Sequence, residues 1–183
     1  MSRPARGKRV TLTEYERLPS DDQYYHEVSR GLLVREPRPG AEHSWIAGKI
    51  YRALSSFMDR HRLGIVLMEA GFRLADDPLT LRGPDVAFVA QARVPARLPA
   101  GFLATAPDLA IEVLSPSNRA GIINDRIRDY FDAGTSEVWI IQPKTRTAVV
   151  HKPADEIRLF HETDTLSTPL LPGFELKLTE VLP

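Results

Sequence analysis

The sequence predicts an α/β (α+β) fold, a mixed central β-sheet flanked by helices, and three observations carry that prediction. Short strand-like runs bounded by turn residues recur along the chain, in keeping with its 15 prolines and 11 glycines. Two longer segments, Ala41 to Arg62 and the stretch leading up to Ala133, carry helical spacing instead. Between them lies Asp108-Leu109-Ala110-Ile111-Glu112-Val113-Leu114, nearly all apolar as a central strand covered on both faces requires. Strands followed by one helix crossing between strands of a mixed sheet give the architecture.

The elements follow in order. Thr11-Leu12-Thr13-Glu14 is a capped helix start, and that helix ends near Leu18-Pro19. Tyr24 to Val28 and Leu32 to Glu36 form two strands joined through Ser29-Arg30-Gly31, a tight hairpin. In the helix from Ala41 to Arg62, Ile46, Ile50, Leu54 and Phe57 follow one stripe. Ile65 to Glu69 and Gly71 to Leu74 are strand-like, and a loop with Asp76-Asp77-Pro78 leads into a strand from Pro84 to Ala90. After Asp108 to Leu114, Ser115-Pro116-Ser117-Asn118 supplies a turn and cap for a helix reaching Ala133. Strands at Glu137 to Ile141, Ala148 to His151, Ile157 to Phe160 and Phe174 to Leu178 complete the chain.

With 183 residues, 43% of them apolar, there is material for one domain over 11–183, preceded by a basic flexible tail at 1–10. No apolar run is long enough for a membrane span, and no secretory signal is visible, so a cytoplasmic location is expected. The absence of cysteine excludes disulfides and thiolate metal sites. Lys plus Arg and Asp plus Glu are 24 each, so no global basic excess exists to grip phosphates nonspecifically. Arg3, Arg6, Lys8 and Arg9 are either a phosphate-touching arm or a solvated tail.

Chemistry is suggested by two carboxylates inside strands. Alternation puts Asp85 on one face with Ala87 and Val89, and Glu112 with Ala110 and Leu114. An ionised carboxylate among apolar groups costs several kcal/mol unless something positive stands beside it or it takes up a proton. Two on neighbouring strands can share a divalent cation, and oxygen-only ligands suit magnesium or manganese. A turn role for Asp85, and a structural salt bridge from Glu112 to Arg119 or Arg126, are the plainer alternatives. In the following helix Ala120, Ile123, Ile127, Tyr130 and Phe131 define the core face, with Asp125, Arg128, Asp129 and Asp132 opposite. Arg119 and Arg126, seven positions apart, border the core face.

An ordered set of motifs then becomes visible. It runs through Tyr25-His26-Glu27 with Gly31, His43 opening a helix, and Glu69-Ala70-Gly71-Phe72-Arg73-Leu74. It continues with Arg82-Gly83-Pro84-Asp85-Val86-Ala87-Phe88-Val89, Pro107-Asp108-Leu109 and Glu112-Val113-Leu114-Ser115-Pro116-Ser117. Tyr130-Phe131-Asp132-Ala133-Gly134 and Val138-Trp139 close it. From about Thr11 to His151 the chain resembles the bacterial "putative restriction endonuclease" domain family, a branch of the PD-(D/E)XK nuclease superfamily. The resemblance implies a restriction-endonuclease-like sheet with Mg²⁺ or Mn²⁺ held by Asp85 and Glu112, and Glu27 as an outer acid or a further ligand. It implies no organic cofactor. The superfamily lysine two residues after the second acid is replaced here by Leu114. The branch places a lysine on the next helix, four residues before the tyrosine, and that position is Arg126. Where the branch carries an aspartate before proline, this chain has Gln142.

The expected activity is metal-dependent hydrolysis of phosphodiester bonds in DNA, weakened because arginine cannot serve as a base. The alternative is a catalytically silent fold that binds nucleic acid or a protein. His43 and Glu69 fit either the site or a structural role. Trp45 and Trp139 are expected in the core or at a dimer contact, and a homodimer is expected to pair through Leu166 to Leu171 and Phe174 to Leu178.

Overall fold

A computed structural model describes residues 9–115 and 120–183. It begins with α1 (Leu12–Glu16), whose capping box is formed as expected: the Thr11 N–H donates to Glu14 Oε2 at 2.9 Å and the Glu14 N–H to Thr11 Oγ1 at 3.3 Å. Val10, counted above with the tail, donates its N–H to the Gly31 carbonyl at 2.8 Å.

Strands β1 (Tyr24–Ser29) and β2 (Leu32–Pro37) form the expected hairpin, closed by the Ser29–Leu32 pair. Both turn residues have positive φ, 50° at Arg30 and 83° at Gly31, which is what the twist of a two-residue hairpin demands. Next come α2 (Ala41–His61), β3 (Gly64–Met68), β4 (Phe72–Asp76), β5 (Leu79–Arg82) and β6 (Val86–Ala90). Residues 79–82, assigned to no strand from sequence, therefore pair in a sheet, and this strand delivers an arginine that matters below. The chain continues with β7 (Leu109–Val113), α3 (Ala120–Asp132), β8 (Glu137–Gln142), β9 (Thr147–Lys152) and β10 (Glu156–His161). It ends with β11 (Thr165–Leu166), β12 (Leu176–Lys177) and α4 (Leu178–Val181). The last expected strand, Phe174 to Leu178, is thus only two residues long and turns into a short helix.

Two main sheets result. A four-stranded sheet runs β2-β1-β5-β4, and a six-stranded sheet runs β10-β9-β8-β7-β6-β3. The larger one is mixed, because β7 and β8 are parallel and joined through α3 while its other pairs are antiparallel. One face carries Phe88, Ile111, Val113, Trp139 and Ile141, covered by α2 and by Leu166, Leu171, Phe174 and Leu178 of the C-terminal segment. Trp139 is fully enclosed, whereas Trp45 is exposed with Lys49 Nζ 4.6 Å over its ring. The other face carries Ala110, Val138 and Ile140 under Ile123 and Tyr130 of α3, and Ala87 and Val89 beside Phe72 and Leu103. No helix among the described residues is long and apolar enough to cross a membrane.

The apolar residues expected to make a dimer contact are therefore spent inside the chain. Leu166, Leu171, Phe174, Leu176 and Leu178 are all buried in its own core. Any two-fold contact has to use another surface.

Candidate active site

A cavity of about 250 Å³ is lined by Glu27, Glu36, His43, Asp85, Glu112 and Arg126, among others. Asp85 lies just before β6 and Glu112 near the end of β7, strands that pair antiparallel. Their alternation is as expected, with Asp85 followed on its face by Ala87 and Glu112 beside Ala110. Asp85 Oδ2 accepts the N–H of Val113 at 2.7 Å, so one carboxylate is tied to the residue next to the other. The same Oδ2 lies 3.0 Å from His43 Nε2, placed by the first turn of α2. Burial draws the His43 pKa down, but the hydrogen bond His43 donates to Asp85 and the charges of Asp85 and Glu112 outweigh it, and the net shift is upward.

Glu112 is held from α3. Arg126 NH1 donates to its Oε2 at 2.7 Å, and the Tyr130 hydroxyl donates to its Oε1 at 2.7 Å. Arg126 and Tyr130 are four residues apart and so occupy one helical face. The plainer sequence alternative, a Glu112–Arg126 salt bridge, is present; Arg119 lies outside the described residues. Burial pushes the Glu112 carboxyl up, Arg126 pulls it back, and Asp85 and Glu27 raise it again, leaving it at about 7 against an ordinary 4.5. Arg126 and Tyr130 both sit well above their usual values. Arg126 is therefore a fixed cation that gives up no proton.

Glu27 is brought to the same place. Its Oε2 is 2.9 Å from Arg126 NH2 and 2.7 Å from Arg82 NH1, and its Oε1 accepts the Gly83 N–H at 2.9 Å. Arg82, only 1% exposed, continues to Asp129 Oδ2 at 2.7 Å. Asp129 also accepts from the Ser29 hydroxyl and from Arg30 Nε, at 2.8 and 3.0 Å. The sequence placed Asp129 on the solvated side of the helix, and burial beside Arg82 corrects that. Arg82 and Asp129 are the partners that sequence reading missed. The available signal was an arginine ending the β-prone Leu79-Thr80-Leu81 run, since a cation buried there needs an acid. Glu69 is exposed at the rim, its N–H donating to the Asp85 carbonyl at 3.1 Å.

The donor set fits a hard divalent cation. Glu27, Glu36 and Glu112 share Arg126, Glu27 also meets Arg82, Asp85 faces His43, and Glu36 Oε1 is buried with no hydrogen bond, only Arg126 Nη2 at 3.5 Å. A surplus of negative charge and spare oxygen lone pairs is what magnesium or manganese needs. No three acidic or histidine side chains among the described residues converge into a self-sufficient metal cluster. An ion placed at Asp85 and Glu112 would need further ligands from solvent or substrate, a common arrangement for Mg²⁺.

The fold and the site can be set beside known proteins. The chain is similar to a solved structure described as a putative nuclease belonging to DUF820 from Anabaena variabilis, with TM-score 0.81 and 25% identity, over 94% of this chain and 97% of that one. No curated protein matches the sequence. The family model described as "Uma2: Putative restriction endonuclease" matches residues 12–179, nearly the whole chain, and the protein therefore belongs to that restriction-endonuclease-like family.

Proposed function

We propose that the protein is a divalent-metal-dependent endonuclease that hydrolyses phosphodiester bonds in DNA at the Asp85–Glu112 pocket. The observation that carries this reading is the bond from the Val113 N–H to Asp85 Oδ2, which ties Asp85 to the residue beside Glu112, in a pocket where the buried Glu36 Oε1 has no hydrogen bond. Asp85 and Glu112 would hold Mg²⁺ or Mn²⁺, which would supply a lowered water pKa and polarisation of the phosphate. Glu27 serves as an outer acid, because three donors already engage its oxygens. His43 fixes the orientation of Asp85 through Oδ2, and Tyr130 and Arg126 fix Glu112. Arg126 offsets charge growing on phosphate oxygens but abstracts no proton, so turnover is slower than with a lysine base. A location in the cytoplasm accompanies this reading.

Supercoiled-plasmid cleavage in Mg²⁺ and then Mn²⁺ tests the proposal. Wild type nicks or linearises the plasmid, and Asp85→Ala and Glu112→Ala each lose about 100-fold or more, the scale of losing a central electrostatic group. Full activity in either variant removes that residue from the mechanism. A second reading has its own observation: both Glu112 oxygens already carry protein donors, which suits a silent fold that binds nucleic acid or a partner. Arg126→Lys separates the two, because a strong gain of cleavage shows a weakened site rather than an abandoned one.

A further inference from the structure

The acids occupy only part of the pocket. Its lining also includes Tyr15, Tyr25, Phe102, Pro37 and Pro39, which hydrolysis at a phosphate does not need. Register sets Tyr25 among the acids: it pairs with Glu36 across the hairpin and stands two residues from Glu27 on the same face of β1. Tyr25 nevertheless stays 40% exposed against 6% for Glu27, so the ring lies toward the mouth and the acid toward the floor. The Arg38 guanidinium lies over the Tyr25 ring, 4.7 Å from its centroid. Neutral groups hold it there, the carbonyls of Asp22 at 2.8 Å and Asp21 at 3.1 Å, so its charge is left for another anion. Elsewhere on the wall Tyr15 and Phe102 meet edge to face, 5.5 Å between centroids. Gly71 makes room for that pair, since a Cβ there would come within 2.6 Å of the Phe102 ring.

We propose that Tyr25, backed by Arg38, is a stacking platform for a nucleobase beside the scissile phosphate, so that the pocket takes unpaired DNA rather than intact duplex. The proposal rests on the reading that this pocket is a nuclease site. Stacking needs a free base face, and inside a duplex each base face is covered by its neighbours. The base must therefore be unpaired already or leave the stack, which is easiest where the strand is single or mismatched. The size of the recess agrees. Its volume of about 250 Å³ falls below the roughly 300–1,000 Å³ of pockets that enclose a drug-sized ligand, which leaves room for one base and none for a duplex. An exposed ring with a cation beside it suits this role, because every base presents a π-face and the cation attracts the adjoining phosphate. Such a platform is indifferent to sequence, so the unpaired state of the strand sets the specificity.

Fluorescence on a single-stranded thymine oligonucleotide carrying 2-aminopurine at several positions provides the test. Ca²⁺ replaces Mg²⁺, so that binding is read without cleavage. Wild type is expected to quench the 2-aminopurine, and to bind the same strand annealed to its complement at least about 10-fold more weakly. Tyr25→Leu should abolish the quenching and weaken single-strand binding about 10-fold, the scale of one lost base–aromatic stack, and Tyr25→Phe should keep both. Tyr24→Leu is the control and should behave as wild type, because Tyr24 is 37% exposed but alternates to the other face and does not line the cavity. A strand of abasic deoxyribose phosphates should bind wild type about 10-fold more weakly than the thymine strand, a loss that no misfolded variant can mimic.

A wild type that does not bind the single strand, duplex or abasic strand bound as tightly, or quenching that survives in Tyr25→Leu each overturns the proposal. If wild type cuts plasmid while Tyr25→Leu leaves quenching and affinity unchanged, the platform is removed and the nuclease reading stands. Quenching that depends on Tyr25 in a protein that cuts nothing does the reverse.

Discussion

Helices α2 and α3 cover opposite faces of the same sheet, yet they bury different chemistry. The buried stripe of α2 is Ile46, Ala47, Ile50, Leu54, Phe57 and Met58, without a charge. That of α3 is Ile123, Arg126, Asp129 and Tyr130, half of it ionised. The first stripe is stabilised by apolar area removed from water. The second is tolerable only because every charge in it meets a partner on another element: Arg126 with Glu112 and Glu27, Asp129 with Arg82 and Arg30. A helix that buries charge at such cost marks where the chain keeps its polar machinery.

Breaking the charged side should have the largest effect. Arg82→Ala removes a buried cation shared by Glu27 and Asp129 and should cost about 3–5 kcal/mol of unfolding free energy, read from the denaturant midpoint. A loss below about 1 kcal/mol would mean that water or Arg30 replaces Arg82 cheaply, and the contrast between the helices would shrink.

The effect of pH comes next. The Glu112 carboxyl, at about 7 against an ordinary 4.5, keeps its proton in the folded chain where the unfolded chain has lost it. Its contribution to stability is therefore full below about pH 4.5 and is lost as pH rises through about 7. The change is on the order of 3 kcal/mol when no metal is bound. Glu112→Gln should flatten that slope in chelator-treated protein; an unchanged slope assigns it to another group. On the apolar side, Ile50→Val should cost about 1 kcal/mol and show no such pH dependence. The smallest change belongs to the exposed side of α3, where Arg128→Ala should stay within about 0.5 kcal/mol by thermal melting.

The same contrast explains what the sequence could reveal. The α2 stripe was legible because apolar spacing reports burial directly, and Glu112 was legible because a carboxylate in an apolar run has few bland explanations, whereas Asp85 at a strand start read equally well as a turn residue. Asp129 was misplaced because a helical wheel assigns charge to solvent, and its partner Arg82 lies 47 residues away on a strand that sequence did not identify. The C-terminal apolar run looked like a surface for another molecule, since nothing in its own spacing says that α2 and the sheet leave room for it. Local pattern gives faces; it does not give which distant face arrives.

The Arg82 network also has a temporal meaning. Glu27, Arg82 and Asp129 are joined over separations of 55 and 47 residues, and Ser29 reaches Asp129 across 100. While the chain is being made, Glu27 and Arg82 emerge long before the acid and the arginine of α3 that complete their pairing. Closing such long loops is entropically slow compared with forming α2. The candidate pocket is thus incomplete until α3 has been made, and a ribosome-bound fragment that ends before α3 lacks the arginine and tyrosine that hold Glu112.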